Sequence, residues 1–181
     1  MKPHYEPNLS HFGVSCLDLD RMVAFYTAVF DLQLTDQGRG HTFPFMLAFL
    51  SRRADQHHQL AFAQNRVPGT PSTVMQLSFK VNRLDDLREA WRRALAHGAT
   101  ALRGLNHGNA LSIYFLDPEG NTVEVYLDTP WYVAQPHGDP LDLDLRDEDI
   151  WAETERMVRA DPTFMPMTEW SAQFSRRLQD H

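Results

Sequence analysis

Four side chains that could bind a metal ion recur along the chain at almost one spacing. His11 and Gln76 lie 65 residues apart, and His58 and Glu124 lie 66 residues apart. Imidazole nitrogens and carboxylate or amide oxygens can all ligate a divalent cation. Taken singly, a strand histidine is usually a hydrogen-bonded structural residue, and a lone strand glutamate is usually a solvated charge. The coincidence of all four favours a metal site, because burying them together without a cation would be costly.

One of these positions has a neighbour that could take its place. His57 precedes His58 in "DQHHQLAF". Side chains alternate between the two faces of a strand, so only one of the two histidines can point toward a site. The sequence leaves open which one does.

The spacing reflects an internal repeat with a period of about 65 residues. "HFGVSCLDLDRMVAFYTAVFDL" aligns with "QLSFKVNRLDDLREAWRRALAHG", and each copy predicts a strand, an acidic turn and an amphipathic helix. Asp20 and Asp85 are expected at or near the helix N-termini, and Gly98 just after the second helix. Three strands should follow each helix: 32–37, 44–51 and 57–64, then 99–103, 111–116 and 121–127.

This pattern predicts an α+β fold of two βαβββ modules, residues 1–70 and 71–128, that form a pseudo-symmetric curved sheet around a cleft. The apolar side of the cleft is expected to include Phe43, Phe45, Met46 and Phe62. Residues 129–181 differ from the repeat: a Pro-rich connector, "TPWYVAQPHGDP", precedes two predicted helices, 147–160 and 167–179. Trp151 and Trp170 would anchor them on the body or on a partner subunit, and we expect no chemistry from this extension.

Composition excludes several classes of protein. The 181 residues are 43% apolar and 23% charged, which is typical of a globular chain. A net charge of −7 argues against a nucleic-acid partner. Cys16 is the only cysteine, so neither an intrachain disulfide nor a cysteine zinc site is expected. The longest apolar run, "FPFMLAFL", is too short to span a bilayer, and a soluble cytoplasmic protein is expected.

Residues 9 to 128 resemble the vicinal oxygen chelate superfamily, which includes glyoxalase I, bleomycin-resistance proteins and type I extradiol dioxygenases. The opening strand and helix from His11 and the closing hairpin "YFLDPEGNTVEVY" carry the likeness. "HHQLAF" and "NHGNALSIYFLDPEGNTVEVY" are most similar to the dioxygenase branch. The resemblance implies Fe(II), a small aromatic substrate such as a catechol or a biphenyl diol, and cleavage of its ring by O₂ next to the diol. A homodimer is compatible with it.

The resemblance also implies roles for single residues. His11 and Glu124 match iron ligands, and His58 matches a histidine that handles protons and oxygen. His107 and Tyr114 match groups that hydrogen-bond the substrate hydroxyls, and Asn109 falls in the order that the dioxygenases use around the iron.

Gln76 departs from the dioxygenase pattern, which has a second histidine ligand at this position. A set of His11, His58, Gln76 and Glu124 would instead resemble glyoxalase I, with Zn²⁺, Ni²⁺, Co²⁺ or Mn²⁺ as a Lewis acid. Three hypotheses therefore remain: an extradiol dioxygenase, a glyoxalase-like lyase or isomerase, and a metal-free binding protein of the bleomycin-resistance type.

Overall fold

The structure, a computed structural model, describes residues 7–179 and divides them into two compact units. The first unit contains the chain up to Val74 together with Pro118–Gly120, and the second contains Met75–Asp117 and the chain from Asn121 onward. The segment after residue 128, expected as a separate extension, thus belongs to the second unit. Within residues 7–179 no helix has the length and apolar character needed to cross a bilayer.

The first unit is one βαβββ module. Its elements are β1 (Phe12–Ser15), α1 (Leu19–Phe30), β2 (Gln33–Arg39), β3 (Met46–Ser51) and β4 (Leu60–Ala63). The strand order is β1-β4-β3-β2, with β1 and β4 parallel and the other neighbours antiparallel. Alternation along β1 buries Val14 and then Cys16, whereas Gly13 and Ser15 are exposed. His11 therefore lies on the exposed face of this sheet, one residue before β1.

The sequence of α1 explains where this helix begins and ends. The Asp18 side chain accepts a hydrogen bond from the Arg21 backbone N–H at 3.0 Å, which makes it the N-cap. Asp20 lies in the first turn, as predicted. At the other end Asp31 adopts a left-handed conformation, and its N–H bonds the carbonyl of Thr27. The buried stripe is Leu19, Met22, Phe25, Tyr26 and Val29.

The second unit repeats the same module. Its elements are β5 (Leu77–Lys80), α2 (Leu84–Ala96), β6 (Thr100–Asn106), β7 (Ala110–Leu116) and β8 (Thr122–Asp128). The sheet order is again β5-β8-β7-β6, with β5 and β8 parallel. Asp85 lies in the first turn of α2, and Gly98, with φ +91°, follows its C-cap, as expected. The α+β class and the two βαβββ modules are thus confirmed.

After β8 the chain continues within the second unit. It forms β9 (Trp131–Tyr132), β10 (Asp139–Pro140), α3 (Asp147–Ala160), β11 (Met165–Pro166) and α4 (Met167–Gln179). β10 adds a fifth strand to the sheet beside β6, and β11 pairs with β9. The two helices have the bounds predicted from the sequence. Trp151 packs edge-on against Trp131, and Trp170 stacks on Tyr132, so both tryptophans anchor the helices on their own unit.

Candidate functional site

The first unit brings two of the predicted ligands together. The rings of His11 and His58 lie 4.3 Å apart, and the ring of Phe49 packs edge-on against His58. The predicted strand 57–64 begins only at Leu60, and the Gln56 side chain donates to the carbonyl of His58 at 3.0 Å. His58 thus lies before the regular strand, where the alternation of faces does not fix its direction.

His57 has a separate role beside His58. Its Nε2 lies 2.7 Å from Asp36 Oδ2, and its Nδ1 lies 3.0 Å from His58 Nδ1. When His57 is neutral, Nε2–H donates to the carboxylate, and Nδ1 can only accept a hydrogen bond from His58 Nδ1–H. This tautomer leaves His58 Nε2 as a bare acceptor, ready to bind a metal or take a proton.

The surroundings of His58 also favour its neutral form. Burial, followed by the nearby rings of His11 and His57, lowers the pKa of His58 below its ordinary value. A neutral imidazole is the form that binds metals and acts as a base.

In the second unit, strand register aligns polar residues across neighbouring strands. Ser78 of β5 pairs with Glu124 of β8, and Glu124 pairs with Tyr114 of β7. Tyr114 in turn pairs with Arg103 of β6, whose guanidinium lies 5.2 Å from the centre of the tyrosine ring. Side chains directly opposite one another point to the same face. The sheet thus carries one polar row on a single face.

Glu124 lies at the centre of this row and is buried, with 7% of its surface exposed. Its Oε1 accepts from the Tyr114 hydroxyl at 2.5 Å and from the Ser112 hydroxyl at 3.0 Å. Its Oε2 accepts from Gln76 Nε2 at 2.6 Å and from the Ser78 hydroxyl at 2.7 Å. Each carboxylate oxygen therefore has two donors, which compensate the charge that burial would otherwise penalise.

His107 continues the row beyond Tyr114. Its Nδ1–H donates to the carbonyl of His137 at 2.6 Å, and its Nε2 lies 3.0 Å from the Tyr114 hydroxyl oxygen. A carbonyl only accepts, so Nδ1 carries a proton. The contacts on both sides of the Tyr114 oxygen each need a proton, and neutral tyrosine supplies one. The Tyr114 hydroxyl donates its proton to Glu124 Oε1, and its oxygen also contacts the His107 ring.

Tyr114 itself remains neutral in this setting. Burial raises its pKa, and the hydrogen bond and charge of Glu124 raise it further, against the opposing effect of Arg103. Tyr114 is thus a neutral hydrogen-bonding group between His107 and Glu124.

The row opens into a cavity of about 260 Å³ in the second unit. The residues that line it are His107, Asn109, Ala110, Tyr114, Glu124, Tyr126 and Gln135. Three of the predicted substrate-binding residues, His107, Asn109 and Tyr114, thus share one cavity.

Phe62 does not have the predicted role. It is fully buried, and its ring packs 5.0 Å from that of Tyr26 in α1. The register of β4 sends Leu60 and Phe62 toward the helix, and the alternate residues Ala61 and Ala63 to the other face. Phe62 is therefore a core residue, and the prediction that it binds substrate is wrong.

The four predicted metal ligands fall as two pairs, His11 with His58 in the first unit and Gln76 with Glu124 in the second. Across residues 7–179 the structure gathers no group of three or more His, Cys, Asp or Glu side chains that could hold a metal ion. The donor types nevertheless fit a divalent cation, because neutral imidazole and carboxylate are its common ligands. The metal-binding set stays a prediction.

Several polar residues near the two pairs escaped the sequence analysis. They are Asp36, Ser78, Arg103, Ser112 and Gln135. Ser78 lies two residues after Gln76, and Ser112 two before Tyr114, so period two could have revealed both. Asp36, Arg103 and Gln135 come from strands or loops whose register no local pattern specifies.

Comparison with known proteins agrees with the fold and the residue pattern. The topology places the chain among proteins built from paired βαβββ modules. It belongs to the glyoxalase/bleomycin resistance protein/dioxygenase superfamily, whose family model matches residues 8–125.

Two curated relatives are biphenyl-diol dioxygenases. The chain is 32% identical over 147 residues to biphenyl-2,3-diol 1,2-dioxygenase of Paraburkholderia xenovorans (strain LB400), covering 75% of this chain and 47% of that protein. It is 24% identical over 128 residues to biphenyl-2,3-diol 1,2-dioxygenase 2 of Rhodococcus globerulus, covering 67% of this chain and 63% of that protein. The chain thus spans about half to just under two thirds of the length of these relatives.

Solved structures share the fold at lower identity. A glyoxylase/bleomycin resistance protein/dioxygenase domain from Frankia sp. EAN1pec matches with a TM-score of 0.57 and 22% identity, over 69% of this chain and all (100%) of that domain. The fosfomycin resistance protein FosX from Listeria monocytogenes, complexed with Mn(II) and sulfate, matches with a TM-score of 0.54 and 20% identity, over 69% and 95% of the two chains.

Proposed function

We propose that this chain is a metal-dependent ring-cleaving dioxygenase that acts on a catechol or a biphenyl diol. The observation that carries the proposal is the set of hydrogen-bond contacts from His107 through Tyr114 to Glu124, which faces a cavity. The similarity to two biphenyl-2,3-diol dioxygenases supports the substrate class. The cavity volume of about 260 Å³ favours a single ring at this wall.

In this proposal, Glu124 would hold the metal, with Gln76 beside it. Fe(II) is the metal we propose, and when bound it would let a catecholate and O₂ react to give the ring-opened product. Each oxygen of Glu124 already accepts two hydrogen bonds. To bind the metal, Glu124 would therefore give up the hydrogen bond from Gln76 or the one from Ser78.

The chain's own residues would orient the diol and manage its protons. The cavity wall places His107 Nε2 and the Tyr114 hydroxyl 3.0 Å apart, so a substrate hydroxyl can bond to both. His58 Nε2, a bare acceptor when Asp36 and His57 set its tautomer, is in this proposal a base that can take a proton.

The test is anaerobic loading of the full chain with Fe(II), followed by catechol or 2,3-dihydroxybiphenyl and O₂. We expect stoichiometric O₂ uptake and a yellow ring-opened product. Glu124→Gln keeps the shape of the side chain but removes its charge, and should weaken Fe(II) binding at least about tenfold. Gln76→His should raise Fe(II) affinity and preserve or raise the rate, whereas Gln37→His, on the exposed face of β2, should change neither. An absence of O₂ uptake across a panel of catechols would refute the proposal.

A second candidate function is metal-free binding of a small molecule, and one observation favours it. The Glu124 carboxylate already has four protein donors, so its charge is compensated without a cation. Gln76 donates an N–H to the Glu124 carboxylate, whereas a histidine that ligates a metal from this position would direct a lone pair at the metal. This candidate predicts that elemental analysis finds no stoichiometric metal after reconstitution with Fe²⁺, Mn²⁺, Zn²⁺, Co²⁺ or Ni²⁺. A glyoxalase-like enzyme would instead retain one of the last four and consume no O₂.

A further inference from the structure

The turn that presents His107 is enclosed by the chain after β8. This turn, residues 107–109, joins β6 to β7. The Thr129 hydroxyl donates to the carbonyl of Gly108 at 2.6 Å, and the Thr129 N–H donates to the carbonyl of Asn109 at 3.0 Å. Gly108 has φ +74°, and a Cβ there would lie 2.4 Å from a methyl group of Val133. The turn is therefore packed directly against residues 129–137, which lie beyond the family match at residues 8–125.

Within residues 129–137, the side chain of Gln135 contacts both residues that share the hydrogen bond between His107 Nδ1 and the His137 carbonyl. Gln135 Nε2 donates to the backbone carbonyl of His107 at 2.9 Å and to Asn109 Oδ1 at 3.2 Å. Its Oε1 accepts from the backbone N–H of His137 at 3.2 Å. The carbonyl of that same His137 accepts the Nδ1–H of His107 at 2.6 Å. Gln135 thus links the backbone of His107 to His137, the residue whose carbonyl accepts the hydrogen bond from the His107 ring.

The ring of His137 lies 3.1 Å from Asp139 and 3.9 Å from Asp161, and its buried Nε2 makes no hydrogen bond within residues 7–179. The bond from the His137 N–H to Gln135 Oε1 therefore holds this part of the chain, whose carbonyl faces His107. Because a carbonyl only accepts, this contact keeps a proton of His107 on Nδ1 and leaves Nε2 to face Tyr114.

We propose that Gln135 is a positioning residue, which fixes the orientation and the tautomer of His107 through the His137 carbonyl. The importance of this role for catalysis rests on the proposed function, in which His107 contacts the substrate. The positioning itself does not depend on it. The C-terminal segment, for which the sequence predicts no chemistry, thereby shapes the polar row of the cavity.

Ring ¹⁵N NMR of the histidine-labelled full chain tests this directly, with His107 assigned by its loss in His107→Gln. In the unsubstituted protein we expect a proton on His107 Nδ1, where the His137 carbonyl accepts it. Gln135→Leu removes every bond of the amide, and Gln135→Glu keeps its shape but cannot donate to His107 and Asn109. Both should move the His107 ring shifts toward a mixture of tautomers. Gln173→Leu, a glutamine of α4 that bonds Glu169, is the matched control and should leave them unchanged.

Turnover of catechol separates this proposal from the proposed function. If both hold, Gln135→Leu and Gln135→Glu should lower kcat roughly 10- to 100-fold, with KM within a few-fold, because the misplaced imidazole no longer meets the substrate hydroxyl. Changed ring shifts in a protein without catechol turnover would support the positioning role and refute the dioxygenase. His107 ring shifts that stay the same in both Gln135 variants would overturn the positioning role, whatever the activity.

Discussion

The stability of the first unit should depend on Glu119, which lies at the tip of the turn between β7 and β8 and contacts the start of α1. Its carboxylate accepts from the backbone N–H of Leu17, at 2.8 and 2.9 Å, and from that of Asp18, at 2.7 Å. It also lies 3.5 Å from the Arg66 guanidinium, and the two side chains are only 4% and 11% exposed. Residues just before α1 thus obtain their hydrogen bonds from a distant part of the chain.

Glu119→Ala removes this carboxylate and leaves three groups to find other partners. Breaking a buried ion pair costs about 3–5 kcal/mol. Leu17 and Asp18 are exposed residues, so water replaces the carboxylate at their N–H groups at little cost. Arg66 keeps two other acceptors, the carbonyls of Glu119 and Thr70. We therefore expect the free energy of unfolding to fall by about 3 kcal/mol, the lower end of the range for a broken buried ion pair. For a chain of this size that corresponds to a decrease of roughly 6–12 °C in Tm.

Thermal unfolding followed by circular dichroism measures this loss, and Glu153→Ala is the matched control. Glu153 also pairs with an arginine, Arg156, but both side chains are at least 60% exposed. Exposed pairs contribute little, so the control should leave Tm almost unchanged. Glu119→Gln keeps one oxygen that can accept a backbone N–H and should fall between the two. A decrease in Tm for Glu119→Ala no greater than that of Glu153→Ala would refute this account.

Three further predictions concern the site and its support. Gly108→Ala combines a strained φ with a methyl clash, and should lower the free energy of unfolding by about 2 kcal/mol or more; Gly69→Ala, with φ +83° and open space, should cost only about 1 kcal/mol in the same urea titration. The lowered pKa of His58 means that the unfolded chain binds more protons, so the contribution of His58 to stability is present above pH 6.5 and is lost as the pH falls below it. Urea unfolding at pH 7.5 and 5.5 should therefore show a smaller decrease in His58→Gln than in the unsubstituted chain, and an equal decrease would contradict the shift. Tyr114→Phe breaks the polar row and should lower kcat for catechol roughly 100-fold, whereas Tyr132→Phe, a ring stacked on Trp170, should not.

The sequence predicts the elements well where periodicity is strong. Helices α3 and α4 have the predicted bounds because each shows a regular amphipathic stripe and a proline or an acidic turn marks its ends. The repeat also places His11 and Gln76 correctly, each one residue before the first strand of its module. Such signals are local, and a single sequence contains them.

The predictions fail where a contact between distant parts of the chain decides the outcome. Phe62 is directed toward α1 by the pairing of β4 with β1, which the composition of β4 alone does not reveal. His57 and His58 lie before the first residue of β4, so the alternation of that strand does not fix their directions. The chemistry of Gln135 consists of bonds from an amide to backbone carbonyls, and these leave no pattern in the residue types.

The packing of residues 129–137 around the His107 turn has a consequence for how activity is inherited within this superfamily. A family alignment that ends at residue 125 compares the residues that touch a ligand and omits those that restrain them. A substitution at Gln135 alters the hydrogen bonds behind His107 and leaves His107, Tyr114 and Glu124 themselves unchanged. Reactivity at this cavity is therefore open to change from residues that a motif search does not compare.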